Sequence, residues 1–237
     1  MDDHTVKRFD QKLDELNALV LKMGGVVQGQ LSHAMDSLRL ENAGLARDVV
    51  ARDYLVNFME VQAGEQAVNL LALRQLMARD LRTILSSGKT VTDLERIGDE
   101  AEHITQMSLK IYESGTLVPS SALLLDTCAM ARIAEQMLAD ALDSLARLDI
   151  DKALEIAKSV AELDNEFQSA LRRLATYLRE DPRNVGHTLN VTFILKAPER
   201  IGDHAKNIAE YVIYQVKGKD VRHVSAESLS RDVLEHH

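Results

Sequence analysis

The sequence predicts an all-α protein made of six long helices, arranged as two pseudo-symmetric three-helix bundles. The chain of 237 residues contains only 11 glycines and 3 prolines, about half of what an average usage of about 7% Gly and 5% Pro would give. Aromatic residues make up 4% of the chain, which disfavours β-strands because strands are enriched in aromatic and β-branched side chains. The second half of the chain also repeats motifs of the first, which predicts two similar bundles.

The first half predicts three helices. Apolar residues recur every three or four positions over 9–38, and this spacing predicts one buried stripe along a helix of about 30 residues. The stripe keeps its phase across the glycine pair 24–25, so we predict an uninterrupted helix there. A second helix is predicted over 42–76 and a third over 78–113.

The same pattern restarts in the second half. The residues 114–121 combine Ser, Gly and Pro and predict a linker. A fourth helix is predicted to end near 147, a fifth to cover 151–179 and a sixth to cover 183–216. The residues after 216 are predicted to form a loose tail.

These elements predict two domains and a tail. The first three-helix bundle is expected over 1–115 and the second over 120–217. The segment 218–237 is expected to be a C-terminal tail, and its closing sequence Leu-Glu-His-His is similar to the remnant of an expression tag.

Composition excludes several functional classes. The chain has 28 Lys and Arg against 37 Asp and Glu, a formal net charge of −9, which argues against a nucleic-acid binder that neutralises phosphates with a basic face. No uncharged apolar run reaches the length of about 18 residues that a membrane-spanning helix needs, so we predict no transmembrane segment. The single Cys128 cannot form an internal disulfide, which fits a reducing compartment.

The strongest signal in the sequence is a doubled motif. Glu-Arg-Ile-Gly-Asp occurs at 95–99 in the third predicted helix and again at 199–203 in the sixth, 104 positions later. Residues of the first helix match those of the fourth at a shift of 107 positions, for example Met23 with Met130. The two halves therefore contain the same pentapeptide at equivalent places.

The motif places two carboxylates on one helix face. Residues four positions apart share a face, so Glu95 lies beside Asp99, and Glu199 lies beside Asp203. Like charges at this spacing destabilise an isolated helix, which suggests that a cation lies between them. Carboxylate oxygens are hard ligands that suit iron, manganese, magnesium or calcium better than zinc. The sequence therefore predicts metal ligands at Glu95, Asp99, Glu199 and Asp203.

An alternative and a second tier of candidates remain open at this point. Arg96 and Arg200 could neutralise the carboxylates, which would make the motif a repeated surface salt bridge. Asn57, Asp80 and Asp164 are candidates to complete a site from a neighbouring helix, or simply to cap a helix.

The motifs of common enzymes are absent from the sequence. There is no glycine-rich phosphate loop, no Gly-x-Ser-x-Gly and no His-Glu-x-x-His. A ferritin-like di-iron site needs Glu-x-x-His from two helices. Glu100 and His103 supply one such motif, but the equivalent positions hold His204 and Asn207. We therefore predict a protein without catalytic residues and keep a carboxylate-bridged, ferritin-like metal enzyme as the alternative.

The combined motifs carry a family resemblance. Besides the doubled Glu-Arg-Ile-Gly-Asp, they are Met-Gly-Gly at 23–25, Val-Asn-Phe-Met-Glu at 56–60, Ala-Arg-Asp-Leu-Arg at 78–82 and Val-Lys-Gly-Lys-Asp at 216–220, followed by Arg-His-Val at 222–224. In these motifs and their spacing the chain, from about 9 to 223, resembles the PhoU family of bacterial phosphate-transport regulators.

The resemblance implies a structure and a metal site. PhoU-like proteins consist of two three-helix bundles and often form homodimers. Some members carry multinuclear metal clusters on motifs that Glu95 and Asp99, and Glu199 and Asp203, match here, whereas other members contain no metal. The resemblance thus implies iron, manganese, magnesium or another divalent or trivalent ion as cofactor. Val160 stands where the first half has an acidic residue, which is a departure from symmetry.

The resemblance also implies a role. PhoU-like proteins are negative regulators of the phosphate-starvation response and of phosphate uptake. They act as adaptors between the ATPase of the phosphate ABC transporter and a sensor histidine kinase. The expected location is the cytoplasm, at the inner face of the membrane, with peripheral association and no binding of nucleic acid.

Overall fold

The structure, a computed structural model, describes residues 2–73, 77–113, 121–180, 185–222 and 224. Within these ranges every regular element is an α-helix, which confirms the predicted fold class. The helices are α1 Asp2–Arg39, α2 Ala43–Arg52, α3 Tyr54–Leu73, α4 Ala78–Glu113, α5 Ser121–Arg147, α6 Ile150–Glu180 and α7 Val185–Lys217.

The helices form two bundles that pack through equivalent helices. In one bundle α1 and α4 pack against α2 and α3, and in the other α5 and α7 pack against α6. Between the bundles α1 contacts its equivalent α5, and α4 contacts its equivalent α7. This arrangement is what a pseudo-two-fold relationship between the repeats requires.

The turns that follow α1 and α5 show the symmetry in detail. Glu41 and Leu148, 107 positions apart, both have positive φ, 49° and 54°. The next residue in each turn, Asn42 or Asp149, accepts a backbone N–H from three residues further on, at 3.0 and 3.1 Å. This is the N-cap contact that Asn and Asp favour. The two repeats therefore use the same turn geometry at the same register.

Helix α1 is uninterrupted across the glycine pair, as predicted. The buried stripe is present, with exposures of at most 1% for Phe9, Leu16, Met23, Leu31 and Leu38. Gly24 faces Leu142 of α5, and a Cβ at Gly24 would overlap the Leu142 methyl carbons. The glycine therefore lets α1 and α5 approach closely instead of ending the helix.

The predicted second helix is divided in two, which corrects the prediction of one helix over 42–76. The break is at Asp53, whose N–H bonds Val50 O at 3.4 Å and whose carbonyl accepts from Val56 N at 3.0 Å. Both bonds span three residues and tighten the ladder locally to a 3₁₀-type turn. No glycine or proline marks this position, so propensity alone could not find it.

Parts of the predicted boundaries lie outside the described residues. These are 114–120 of the linker, the end of the second helix at 74–76, and the junction 181–184 before α7. Ser121, predicted as linker, is already the first residue of α5. The domain limits 1–115 and 120–217 therefore stay a prediction.

The first residues of the predicted tail are packed, not loose. Gly218 has φ 73° and turns the chain after α7. Val221 is then fully buried, with 0% exposure, and Val224 packs against the same core. Residue 223 and the segment 225–237, which includes the tag-like end, lie outside the described residues.

Across the described ranges, none of the helices combines the length and the apolar character that a bilayer crossing demands.

Candidate metal centre

In the first half the predicted carboxylates face the junction of α2 and α3. Burial is the main cause that raises the pKa of Glu95, followed by the negative charge of Asp99, with Glu60 and Asp53 adding to it. The pKa of Asp99 is raised by burial and then by Asp53. Four carboxylates from two neighbouring segments therefore act on one another, which is the electrostatic condition that a bound cation would relieve.

Gly98 forms the floor of this site. A Cβ placed on Gly98 would lie 3.4 Å from Val56 Cγ1, 3.5 Å from Gln30 Oε1 and 3.8 Å from Asp53 Oδ1. The space above the glycine is thus lined by a carboxylate oxygen and an amide oxygen that come from two other helical segments.

Gln30 is the unusual member of the cluster. Its side chain is 5% exposed, and within the described part of the chain neither its amide oxygen nor its nitrogen has a hydrogen-bond partner. A buried polar group without a partner destabilises the fold unless a ligand or water satisfies it. The oxygen donors of Gln30, Asp53, Glu60, Glu95 and Asp99 fit a hard metal ion.

The carboxylates of this cluster do not converge on one point. Arg96 bridges the pair, with Nε 3.4 Å from Glu95 Oε2 and Nη1 3.4 Å from Asp99 Oδ2. Among the described residues no three Asp, Glu, His or Cys side chains converge closely enough to hold an ion without rearrangement. Arg96 is 54% exposed and its contacts are long, so a cation that draws the carboxylates together has only a weak surface pair to replace.

Of the second-tier candidates in the first half, one lies at the site and the other does not. Asn57 Nδ2 donates to Asp53 Oδ2 at 3.0 Å and so orients that carboxylate. Asp80 lies in the first turn of α4, fifteen residues and therefore roughly 22 Å along the helix from Glu95, so the structure does not bring it to the site.

Sequence reasoning did not select Gln30, Asp53 or Glu60 as ligands. For Asp53 and Glu60 a signal existed, since with Asn57 they have the spacing i, i+4, i+7 that marks one helix face. Gln30 lies on an apolar face of α1 and carries no such signal.

In the second half Lys196 occupies the motif. Its Nζ lies 2.6 Å from both carboxylate oxygens of Glu199 and 5.1 Å from the centre of the Phe167 ring. The pKa of Asp203 is raised mainly by burial and then by the charges of Glu199 and Asp164. The charge of Asp164 therefore acts on the pair, and the ammonium of Lys196 lies on Glu199 as well.

The floor of the second site is apolar. A Cβ on Gly202 would overlap a methyl carbon of Leu163 and would lie 3.4 Å from Met137 Sδ. The two copies of the pentapeptide therefore have different surroundings, polar over Gly98 and apolar over Gly202.

The ferritin-like alternative is not supported by the positions of its two residues. Glu100 Oε1 lies 2.7 Å from Nη1 of Arg200, across the α4–α7 interface. The ring of His103 makes an edge contact with Phe193, with 6.4 Å between the ring centres. Both residues therefore serve helix packing.

A second polar contact joins the same helices. Nδ1 of His204 lies 2.6 Å from Oδ1 of Asp93, and Asn207 Nδ2 donates to the same oxygen at 3.0 Å. These two residues are the register equivalents of Glu100 and His103, so the halves of the repeat meet here through unlike side chains.

Comparison with known proteins gives full-length matches. A family profile described as PhoU domain matches residues 20–107 and 127–212, one match in each bundle. A Pseudomonas aeruginosa protein named phosphate-specific transport system accessory protein PhoU homolog is 40% identical over 230 residues, covering 97% of this chain and 94% of its own length. The Escherichia coli K12 protein named phosphate-specific transport system accessory protein PhoU is 37% identical over 231 residues, covering 98% and 94%.

Solved structures of similar proteins have the same fold as this chain. The crystal structure of PhoU from Pseudomonas aeruginosa superposes with a TM-score of 0.85 at 41% identity, covering 89% of this chain and 100% of that one. The phosphate transport system regulatory protein PhoU from Streptococcus pneumoniae gives a TM-score of 0.81 at 26% identity, covering 90% and 99%.

Proposed function

We propose a function from the premise that this chain belongs to the PhoU family: it is a negative regulator of the phosphate-starvation response and of phosphate uptake. The observation that carries the proposal is similarity over nearly the whole chain to accessory proteins of phosphate-specific transport systems. Because the similarity includes both bundles, the role of the whole relative is transferred, not that of one domain.

The mode of action that we propose is that of an adaptor without chemistry of its own. Its partners are a sensor histidine kinase and the ATPase of the phosphate ABC transporter, and it works in the cytoplasm at the inner face of the membrane. An apolar row on the outer face of α3 supports a protein-binding role, since exposed apolar patches mark interfaces. Its members are Tyr54, Phe58, Val61 and Val68, each more than 60% exposed.

We further propose that the first-half cluster binds iron, manganese, magnesium or a similar ion. Glu95 and Asp99 on α4 would hold it with Asp53 and Glu60 from the α2–α3 segment, and Gln30 would supply an amide oxygen. Such an ion neutralises the carboxylates and ties α4 to the helix that carries the exposed apolar row. Binding would therefore bias the affinity for a partner, which is a coupling free energy between two sites.

The same apolar row provides a surface for a homodimer. A dimer formed through α3 would compete with partner binding because both need the same side chains. The homodimer is therefore part of the same proposal. The molar mass of the purified protein in solution tests it.

The test of the regulatory role is genetic. Deletion of the gene in its host is expected to derepress alkaline phosphatase expression in phosphate-rich medium. The wild-type gene should restore repression. Repressed phosphatase in the deletion strain would contradict negative regulation.

The same strain tests the metal. Complementation with Glu95→Gln/Asp99→Asn is expected to leave phosphatase expression derepressed although the protein accumulates normally. If this variant restores full repression, the metal is not part of the regulation, while the adaptor role stands.

A further inference from the structure

Two register-equivalent positions carry different charges in the two halves. At a shift of 104, Thr92 of α4 corresponds to Lys196 of α7, and at a shift of 107, Glu60 of α3 corresponds to Phe167 of α6. Thr92 is uncharged, and its hydroxyl donates to Gly88 O at 3.3 Å. The second half therefore has an ammonium where the first half has the hydroxyl of Thr92, and an aromatic ring where the first half has the carboxylate of Glu60.

The two changed residues contact each other. The Lys196 ammonium lies 5.1 Å from the centre of the Phe167 ring, within the distance at which a cation is attracted to the face of a ring. It also lies 2.6 Å from both oxygens of Glu199. The ring and the carboxylate therefore hold the ammonium on the motif from two sides.

Two further donors of the first half have no counterpart in the second, whereas Asn57 corresponds to Asp164, a carboxylate that acts on Asp203. Gln30 corresponds to Met137, and Asp53 corresponds to Val160. A thioether is a soft ligand that hard ions do not favour, and valine has no donor. Leu163 fills the space over Gly202 that stays open over Gly98.

We propose that Lys196 is a built-in cation for Glu199 of the second carboxylate pair, so that metal binds in the first half alone. The proposal rests on the metal site of the preceding subsection and revises the prediction that Glu199 and Asp203 are ligands. An ammonium on the same chain is always present at its site, and an incoming ion must displace it against charge repulsion. In the first half the corresponding cation is Arg96, whose contacts of 3.4 Å with Glu95 and Asp99 are longer than the 2.6 Å contacts of Lys196 and are therefore easier for an ion to replace.

Binding of Mn²⁺ to the full-length protein, prepared free of metal, tests the proposal through matched variants. Glu95→Gln/Asp99→Asn is expected to abolish binding measured by calorimetry and elemental analysis. Glu199→Gln/Asp203→Asn should leave the stoichiometry unchanged and the dissociation constant within about twofold, well below the tenfold that corresponds to 1.4 kcal/mol, because neither residue binds the ion in this proposal. An equal loss of Mn²⁺ from both variants would overturn the proposal.

Exchange of the register-equivalent residues is the sharper test. Thr92→Lys places the second-half ammonium on the first-half motif and should weaken Mn²⁺ binding by about tenfold or more, since repulsion between close charges exceeds 1.4 kcal/mol in a partly buried site. The triple variant Lys196→Thr/Val160→Asp/Phe167→Glu introduces three of the first-half residues and should bind additional Mn²⁺. Unchanged affinity in Thr92→Lys contradicts the proposal.

A measurement on the metal-free protein separates this proposal from the preceding one. Lys196→Thr should lower the thermal midpoint by about 1–3 °C in the wild type, as expected for a partly exposed ion pair in a chain of this size, and by less in a Glu199→Gln background. Equal losses in both backgrounds would show that the ammonium does not stabilise the carboxylate and would overturn the proposal. If wild-type protein binds no Mn²⁺ while this coupling is present, the first-half metal site fails and the lysine role stands.

Discussion

Nη1 of Arg200 on α7 lies 2.7 Å from Oε1 of Glu100 on α4 and joins the two bundles across their interface. The Glu100 side chain is 9% exposed and that of Arg200 is 50% exposed. Burial raises the pKa of Glu100, and the guanidinium opposes that rise. Removal of the arginine would therefore leave a nearly buried carboxylate without its counter-charge.

We predict that Arg200→Met lowers the free energy of unfolding by about 1–2 kcal/mol, less than the about 3–5 kcal/mol of a fully buried pair because half of the arginine reaches solvent. Urea denaturation at neutral pH measures the change. The matched control is Arg96→Met, the register equivalent, whose exposed and longer contacts predict a loss below about 0.5 kcal/mol. Equal losses in the two variants would assign the effect to helix packing and not to the ion pair.

The carboxylate cluster predicts a pH dependence in metal-free protein. The folded-state pKa values of Glu95 and Asp99 are raised, chiefly by burial, so the folded state holds protons that the unfolded chain has released. The stability that these groups contribute is therefore fully present at acidic pH and is lost as pH rises through the raised pKa values.

In Glu95→Gln/Asp99→Asn this loss of stability is absent, because neither side chain titrates. The free energy of unfolding of the variant should therefore increase relative to that of the wild type as pH rises from about 4 to 7, the range above the ordinary carboxylate pKa. Unfolding in urea at several pH values, with a chelator present, measures the difference. A difference that is constant with pH would mean that the cluster is solvated in the folded state.

The two motif glycines should respond differently to alanine. A methyl group at Gly98 meets Val56 at an ordinary contact distance of 3.4 Å, so Gly98→Ala should stabilise α4 by about 0.5–1 kcal/mol through its helix propensity. Gly202→Ala must displace the buried Leu163 and should cost about 1–3 kcal/mol through overpacking.

Metal affinity provides the second readout for the same pair of variants. The methyl of Gly98→Ala lies beside the Gln30 oxygen and should weaken Mn²⁺ binding in spite of the higher stability. Gly202→Ala should leave the affinity unchanged. The reverse order of affinities would place the ion over the second glycine.

The chain after α7 contributes to the core. Val221→Ala should lower the free energy of unfolding by about 1–3 kcal/mol, because it removes two buried methyl groups and leaves a cavity. Val216→Ala is the control at the end of α7, where the valine is 39% exposed and the expected loss is below about 1 kcal/mol. Similar small losses in both variants would mean that this segment is not held against the bundle.

The exposed row on α3 tests the adaptor role. Phe58→Asp should abolish or strongly reduce capture of the histidine kinase or the transporter ATPase from detergent extracts, because a charge is placed at the centre of an apolar face. Leu125→Asp on α5 is the control, since this leucine is equally exposed, at 68% against 65%. Capture that is unchanged by Phe58→Asp and lost in Leu125→Asp would move the interface to α5.

Much of the fold followed from periodicity. The apolar stripe of α1 and the doubled pentapeptide required long helices and a repeat, because burial of one face is a local property of a helix. The break at Asp53 was missed, since the residues around it favour helix and only the hydrogen bonds change there. The packing of Val221 was missed as well, because nothing in the polar sequence around it distinguishes a tail that returns to the core.

The candidate site was predictable only in part. The sequence determined that Glu95 lies beside Asp99 and Glu199 beside Asp203, since a spacing of four residues fixes a shared face on any helix. It could not decide what lies opposite each pair, because that depends on how other helices pack against α4 and α7. Tertiary structure placed Gln30 over Gly98 and Leu163 over Gly202, so two identical pentapeptides acquired different surroundings.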